Sequence, residues 1–358
     1  MPSKQLQERR WLCLELKTDM PHRNIPIFIP HLGCPNQCVF CNQRSISGCH
    51  TFSETLVTEQ IDRALDTIPD GTDVEIAFFG GSFTGIDRDL MLRLLQTAQA
   101  YVDAGRVQGI RLSTRPDYIT PEILELLSRF SVRVIELGLQ SMDDGVLLAA
   151  NRGHDASCAE QACRRVRDAG FSLVGQMMIG LPESTEESEV ETAERICKLG
   201  ASAARIYPTV VFYGTPLCDM VKDGRYLPLT LEEAVRRAAR ALRVFETHGV
   251  ECIRIGLCAG EELTSADTVL AGPNHPALGE MVRSELAYVR MKDALCRHGL
   301  LGKDAVLRVP QREISHIVGQ HRSNIVRLER ETDTRIRKIV GEQALRDILP
   351  QPWQRSLN

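Results

Sequence analysis

The stretch Gly33-Cys34-Pro35-Asn36-Gln37-Cys38-Val39-Phe40-Cys41-Asn42 decides how the chain is read. It follows a short apolar run, Ile25 to Pro30, and sets three cysteines at the spacing C-x3-C-x2-C. Three thiolates from one tight loop can hold three irons of a cubane [4Fe-4S] cluster, which normally takes four protein ligands, so one iron is left open to a small molecule. The competing reading is a structural zinc site, for which His31, Cys49 or His50 supplies a fourth ligand. Zinc sites usually pair C-x2-4-C with a second, distant pair, and none follows here.

Around this loop lie 358 residues, 43% of them apolar, enough for one large core and a smaller satellite. No apolar run approaches the length that spans a bilayer, and Met1 to Arg10 is polar and charged, unlike a signal peptide. A cytoplasmic protein with no membrane partner is expected. Twelve scattered cysteines fit a reducing compartment, with Cys163 and Cys197 read as small core hydrophobes. A net charge of -4 argues against bulk attraction to nucleic acid and leaves room for a local basic patch.

Six β-rich runs recur along the chain: Ile25 to Pro30, Val74 to Phe79, Ile110 to Ser113, Val132 to Gly138, Ser172 to Ile179 and Ala204 to Phe212. Pro26 and Pro30 weaken the first, because proline cannot donate to a ladder. Between the runs, apolar residues return at helical spacing, as in Ile61, Leu65 and Ile68, and Thr120-Pro121 offers a cap followed by proline at the first helical position. Six β/α units in series predict an α/β fold, a partial (β/α)6 barrel whose chemistry sits at the carboxyl ends of its strands. Thr230 to Glu233 reads as a capping box, a seventh apolar run spans Cys252 to Leu257, and a turn-rich stretch surrounds Gly272-Pro273. The expected organisation is an arm over 1–24, the barrel over 25–265, a helical connector over 266–302, a small module over 303–341 and a tail over 342–358.

Polar signals gather at the strand ends. Gly80-Gly81-Ser82 closes the second run, where glycines let backbone N–H groups approach a ligand, though a tight turn explains them equally well. Arg115, held extended by Pro116, can clamp a carboxylate with two hydrogen bonds or simply pair with Asp117. Gln140 offers donors and an acceptor suited to ribose hydroxyls, and Met178 offers a flexible thioether for an adenine or for the core. Asn151-Arg152-Gly153-His154 follows one helix later.

The cysteine spacing, with Phe40 just before the last cysteine, resembles the signature of the radical S-adenosylmethionine (SAM) enzymes. Taken in order, Gly-Cys-Pro-Asn-Gln-Cys-Val-Phe-Cys, Gly-Gly-Ser-Phe, Thr-Arg-Pro-Asp, Glu-Leu-Gly-Leu-Gln-Ser, Asn-Arg-Gly-His and Ile-Gly-Leu-Pro resemble the radical SAM domain of the Elongator catalytic-subunit family, over roughly residues 25 to 290. That resemblance implies a radical SAM barrel in which Cys34, Cys38 and Cys41 bind the cluster. Phe40, Gly80, Gly81, Ser82, Arg115, Gln140 and Met178 would lie around SAM. It also implies reductive cleavage of SAM to a 5'-deoxyadenosyl radical, and an electron donor such as flavodoxin or ferredoxin. Ser82 stands where such enzymes often carry an acidic residue. Family members that modify the wobble uridine of transfer RNA carry a fused acetyltransferase domain, for which no room is expected here, so their acetyl-CoA-dependent reaction is not carried over.

Residues 303 to 340 show a β-α-α-β order with Gly319-Gln320-His321-Arg322 at the helix junction. The pattern resembles a KH RNA-binding domain, whose G-x-x-G loop clamps nucleic-acid backbone; here Arg322 replaces the second glycine. Gly319, His321, Arg322 and Arg327 are the candidate RNA contacts, with Arg330, Arg335, Arg337 and Lys338 nearby. A packing module with a solvated basic face is the plainer alternative, supported by the interspersed Glu329, Glu331 and Asp333. Three functions follow: a radical SAM enzyme acting on RNA, a transfer RNA base in particular; the same enzyme on a porphyrinogen-like small molecule; or a zinc-stabilised, non-enzymatic RNA-binding protein.

Overall fold

The computed structural model describes residues 21–29, 32–34, 38–42, 52–257 and 267–353. Residues 1–20 of the expected arm, His31, Cys49, His50 and the expected boundary at 265/266 lie outside the described residues. The first half of the barrel runs β1 (His22–Ile29), α1 (Val57–Leu65), β2 (Asp73–Gly80), α2 (Arg88–Asp103), β3 (Gly109–Thr114), α3 (Pro121–Leu127) and β4 (Val132–Gln140). The second half runs α4 (Asp144–Ala149), α5 (Ala156–Asp168), β5 (Ser172–Ile179), α6 (Glu186–Lys198), β6 (Ala203–Pro208), β7 (Val211–Phe212), α7 (Pro216–Lys222), α8 (Leu231–Thr247) and β8 (Glu251–Ile255).

The strands β1 to β6 and β8 form one sheet in chain order, every pairing parallel. Right-handed crossovers then place the helices on a single face, and the sheet curls around the other without closing. The partial barrel read from six units is present, and the run beginning at Cys252 gives it a seventh strand. β1 is an edge strand, which is why Pro26 is tolerated in its middle. The run Ala204 to Phe212 divides: β6 ends at Pro208, and β7 leaves the sheet to pair with β9 (Val269–Ala271).

Alternation along each strand sorts side chains between two surroundings. Ile76, Phe78, Leu112, Ile135, Leu137 and Ile206 face the helices in the main core. Caps set the helix starts as the sequence suggests: Thr120 accepts from the Ile123 N–H, and Thr230 with Glu233 makes a reciprocal capping box.

Beyond β9, α9 (Leu278–Arg297) leads into β10 (Asp304–Pro310), α10 (Ile314–Val318), α11 (Ser323–Thr332), β11 (Arg335–Glu342) and β12 (Leu349–Pro352). β10 is central, parallel to β11 and antiparallel to β12. The stretch read as a helical connector is packed into the fold at both ends. β9 is tied to β7, while α9 buries Leu278, Val282 and Leu286 in the barrel core and Tyr288, Met291 and Leu295 in the tail core. One helix thus serves both cores.

Candidate active site

The cysteine loop sits on the carboxyl ends of the strands, held there by close backbone approaches. At Gly33 (φ +74°) a Cβ would lie 2.4 Å from the Ser82 carbonyl oxygen and 2.5 Å from the Ile86 nitrogen. At Gly80 (φ +118°) it would lie 2.4 Å from the Ile29 carbonyl oxygen, to which the Gly81 N–H donates at 3.2 Å. Only glycine fits such gaps at such φ. The glycine-rich turn therefore seats the cysteine loop. Ser82 is 1% exposed, its hydroxyl 2.7 Å from Thr114 Oγ1 and accepting from the Arg115 N–H at 3.3 Å, so it is committed to the end of β3.

Cys38 is buried, Cys34 and Cys41 half-buried, and the Cys41 N–H donates to the Cys38 carbonyl at 3.1 Å. Val39 donates to the Ala150 carbonyl at 3.1 Å and accepts from the Leu217 N–H at 2.9 Å, pinning the loop between the end of α4 and α7. Phe40 packs in the same small cluster as Val146, Ala150, Met178 and Leu181. The two candidates Phe40 and Met178 therefore share one apolar wall.

Arg115 is extended (φ -87°, ψ 149°) and 1% exposed. Its Nε and Nη2 each lie 2.9 Å from an oxygen of Asp117, and Nη2 also donates to the Arg152 carbonyl at 2.7 Å. The fork expected to clamp a ligand carboxylate with two bonds already grips Asp117. Nη1 remains without a protein partner. Arg152, which the sequence reading quoted without a role, is 6% exposed. It donates from Nη1 to Cys38 Sγ at 3.4 Å and from Nη2 to the Gly138 carbonyl at 2.5 Å, while Nε has no partner.

Gln140 occupies a bulge between β4 and β5 with φ 68°, and its buried Oε1 is unpartnered. The His154 side chain is fully buried, its ring nitrogens without a well-formed hydrogen bond among the described residues and its Nδ1 4.0 Å from Asp117 Oδ1. Burial, reinforced by Arg152 and opposed by Asp117, brings the His154 pKa down to about 4. Burial also pushes the Cys34 thiol up, against the pull of Arg115 and Arg152.

Unpartnered buried polar atoms are costly, and here several surround three cysteines. Two arginines against one carboxylate leave positive charge facing the sulfurs. That suits an anionic thiolate-ligated cluster with a polar ligand beside it. Among the described residues no three His, Cys, Asp or Glu side chains converge as ligands of one metal ion.

Below the loop the inward face of the sheet is charged. Glu136, 0% exposed, meets Arg111 Nη1 at 2.9 Å, Arg205 Nε at 2.8 Å and Gln176 Nε2 at 2.9 Å. Glu75 meets Arg111 Nε at 2.9 Å and His22 at 3.1 Å, and these partners, with Arg133, hold its carboxyl below the ordinary value although burial opposes them. Phe28 and Phe79 lie together at 6.2 Å between centroids, with the Arg205 guanidinium 5.5 Å over the Phe79 ring. None of these residues was singled out from the sequence for a role. A signal was there: Glu75, Arg111, Glu136 and Arg205 are each a charge set between apolar neighbours inside a β-rich run.

In the tail, Gly319 has φ +71°, and His321 (φ 51°) and Arg322 (φ 63°) are left-handed and exposed. Arg322 thus holds the glycine-favouring conformation without a glycine. Arg327, a candidate RNA contact, pairs with Glu285 at 2.6 Å and Glu331 at 3.0 Å and lies 3.8 Å over the Tyr288 ring. Its guanidinium is spent on the seam with α9. Arg337 is likewise paired, with Asp304 at 2.7 Å.

Residues 28–196 match the Radical SAM superfamily, and residues 201–288 match the Radical SAM C-terminal domain. The chain belongs to the radical SAM superfamily and is an enzyme of that class. It is 30% identical over 217 residues to an uncharacterised protein of Methanocaldococcus jannaschii, covering 57% of this chain and 66% of that one. It is 26% identical over 349 residues to Elongator complex protein 3 of Mus musculus, covering 86% of this chain and 60% of that protein. Among solved structures, the archaeal Methanocaldococcus infernus Elp3 with an N-terminal deletion superposes with a TM-score of 0.60 at 19% identity, over 80% of this chain and 66% of that one. The chain thus spans about two thirds or less of these relatives' lengths, and the last likeness is one of fold. Among the described residues no helix is long and apolar enough to cross a membrane.

Proposed function

We propose that this chain holds a [4Fe-4S] cluster on Cys34, Cys38 and Cys41, binds SAM beside it, and acts on an RNA, a transfer RNA base in particular. The observation that carries the reading is the three-cysteine loop at the strand ends, ringed by buried polar atoms that have no hydrogen-bond partner among the described residues. When bound, the cluster and SAM supply reductive cleavage to a 5'-deoxyadenosyl radical, the hard chemistry of the reaction. The protein's share is placement. Gly33 and Gly80 seat the loop, Phe40 and Met178 offer an apolar wall for an adenine, and Gln140 Oε1 is an acceptor left for a hydroxyl. Below, the Phe28 and Phe79 rings and the Arg111-Glu136-Arg205 ladder present stacking surface and directed hydrogen bonds, the lining that an unstacked nucleobase needs.

The choice of RNA rests on the similarity to Elongator complex protein 3 across 86% of the chain and on the tail, whose β-α-α-β order and exposed His321-Arg322 turn are similar to a KH module. Protein purified and reconstituted without oxygen should contain iron and sulfide and release 5'-deoxyadenosine after reduction. Replacing Cys34, Cys38 and Cys41 together by Ala should abolish both. Unchanged iron content and SAM cleavage in that variant would sink the enzyme reading, and zinc without sulfide in the wild type would support the zinc reading instead. Mass spectrometry of nucleosides from cells lacking the protein should show a missing modification; an unaltered profile would point to a small-molecule substrate.

A further inference from the structure

Arg152 lies 114 residues beyond Cys38 in the chain, yet its Nη1 is the hydrogen-bond donor to the sulfur of that cysteine, at 3.4 Å. Its position is built from several directions. Nη2 is anchored on the Gly138 carbonyl where β4 breaks its register, and the Arg152 carbonyl accepts from Arg115 Nη2 at 2.7 Å. Arg115 is in turn fixed by Asp117 on its other edge. A 6% exposed guanidinium held this way has little freedom to turn toward solvent. Arg115 Nη1 beside it and its own Nε are buried donors with no hydrogen-bond partner among the described residues.

A buried arginine with no carboxylate partner among the described residues is expensive. It is well placed for another purpose. Reduction adds negative charge to an iron-sulfur cluster, and hydrogen bonds to the sulfurs, with net charge and solvent exposure, set the potential at which that happens. A fixed cation donating to a ligating sulfur stabilises the reduced form more than the oxidised one.

Resting on the cluster reading above, we propose that Arg152 is a positioning residue that raises the reduction potential of the cluster through its hydrogen bond to Cys38, with Arg115 as its brace. Lysine at this position keeps the charge but loses the fork that holds Gly138 and Cys38 together, so it restores only part of the effect.

The test is an EPR-monitored redox titration of the anaerobically reconstituted holoenzyme. In Arg152→Gln the ratio of reduced to oxidised cluster at a fixed potential should fall at least tenfold, about 59 mV for one electron. Arg152→Lys should fall between that variant and the wild type, with iron and sulfide unchanged in both. A second readout needs no variant: in wild-type protein carrying 15N-labelled arginine, the reduced cluster should show hyperfine coupling to an arginine nitrogen. That coupling should weaken in Arg152→Lys. A fully loaded Arg152→Gln variant at the wild-type potential overturns the proposal, and so does labelled wild-type protein without arginine coupling, even if Arg152→Gln fails to hold a cluster. Either result leaves the enzyme reading standing, provided that SAM is still cleaved. Wild-type protein lacking iron and sulfide would remove both.

Discussion

The barrel and the tail both carry surface charge, but only the barrel also turns a large set of charges inward. Glu136, Glu75, Arg111, Arg115 and Arg152 are all buried, with Glu75, Arg111 and Glu136 linked from strand to strand and Arg115 bonded to Arg152. In the tail charges sit on the surface, where Arg337 pairs with Asp304 in the open, or along the seam with α9, where Arg327 and Lys292 share Glu331. A buried network is costly to break because each member leaves an uncompensated charge behind, whereas surface pairs contribute little. Inward charge is therefore an investment in a site, and outward charge serves fit and solubility.

The largest effect should come from Glu136→Gln, which leaves Arg111 and Arg205 facing a neutral amide inside the barrel. A loss of about 3–5 kcal/mol is expected from equilibrium urea unfolding. Arg337→Gln in the tail, removing a half-exposed pair, should cost under ~1 kcal/mol. Equal losses from the two would erase the distinction between the regions.

A smaller effect tests how the tail is attached. Asn324 is 6% exposed, and its Nδ2 donates to the Ser284 carbonyl, the Ser284 hydroxyl and the His316 carbonyl, joining α11 to α9 and α10. Asn324→Ala removes the amide donor from these half-buried oxygens, leaving only the Ser284 hydroxyl to the His316 carbonyl, at about 1–3 kcal/mol. Limited proteolysis should then cut first within the tail while the barrel fragment persists. Because α9 belongs to both cores, the two regions are not independent. Should the whole chain become protease-sensitive at once, the shared helix couples them more tightly than the burial pattern indicates.

How much of this was legible in the sequence follows the same division. The cysteine loop was readable because Cys34, Cys38 and Cys41 come from one short stretch, and the barrel because β and α periods alternate for some two hundred residues. The Arg152 contact with Cys38 and the Glu136 ladder were not, since each joins residues far apart in the chain and depends on a curl of the sheet that no local pattern encodes. The same limit hid the setting of Arg327. Its neighbours in sequence suggest a basic face, but its carboxylate partner Glu285 is 42 residues earlier on α9. The edge position of β1 likewise made Pro26 harmless in a way the run itself cannot show.

The smallest effect is one of pH, and it separates the seam from the barrel interior. Hydrogen bonds from Tyr288, then Arg327 and Lys292, bring the Glu331 pKa down to about 2. A carboxyl depressed on folding contributes stability that is complete above its unfolded value, about 4.3, and is lost as pH falls through the folded value. With 31% of the Glu331 side chain exposed, solvent screens much of that contribution, so a modest change is expected. A Trp11→Phe background leaves Trp353, at the end of β12, as the lone tryptophan to report on the tail. Thermal midpoints of this protein and its Glu331→Gln derivative should differ at pH 5 and converge toward pH 2. A gap that stays constant across that range would show that Glu331 acts by shape alone, and that the charges along the seam, unlike those in the barrel, do no electrostatic work.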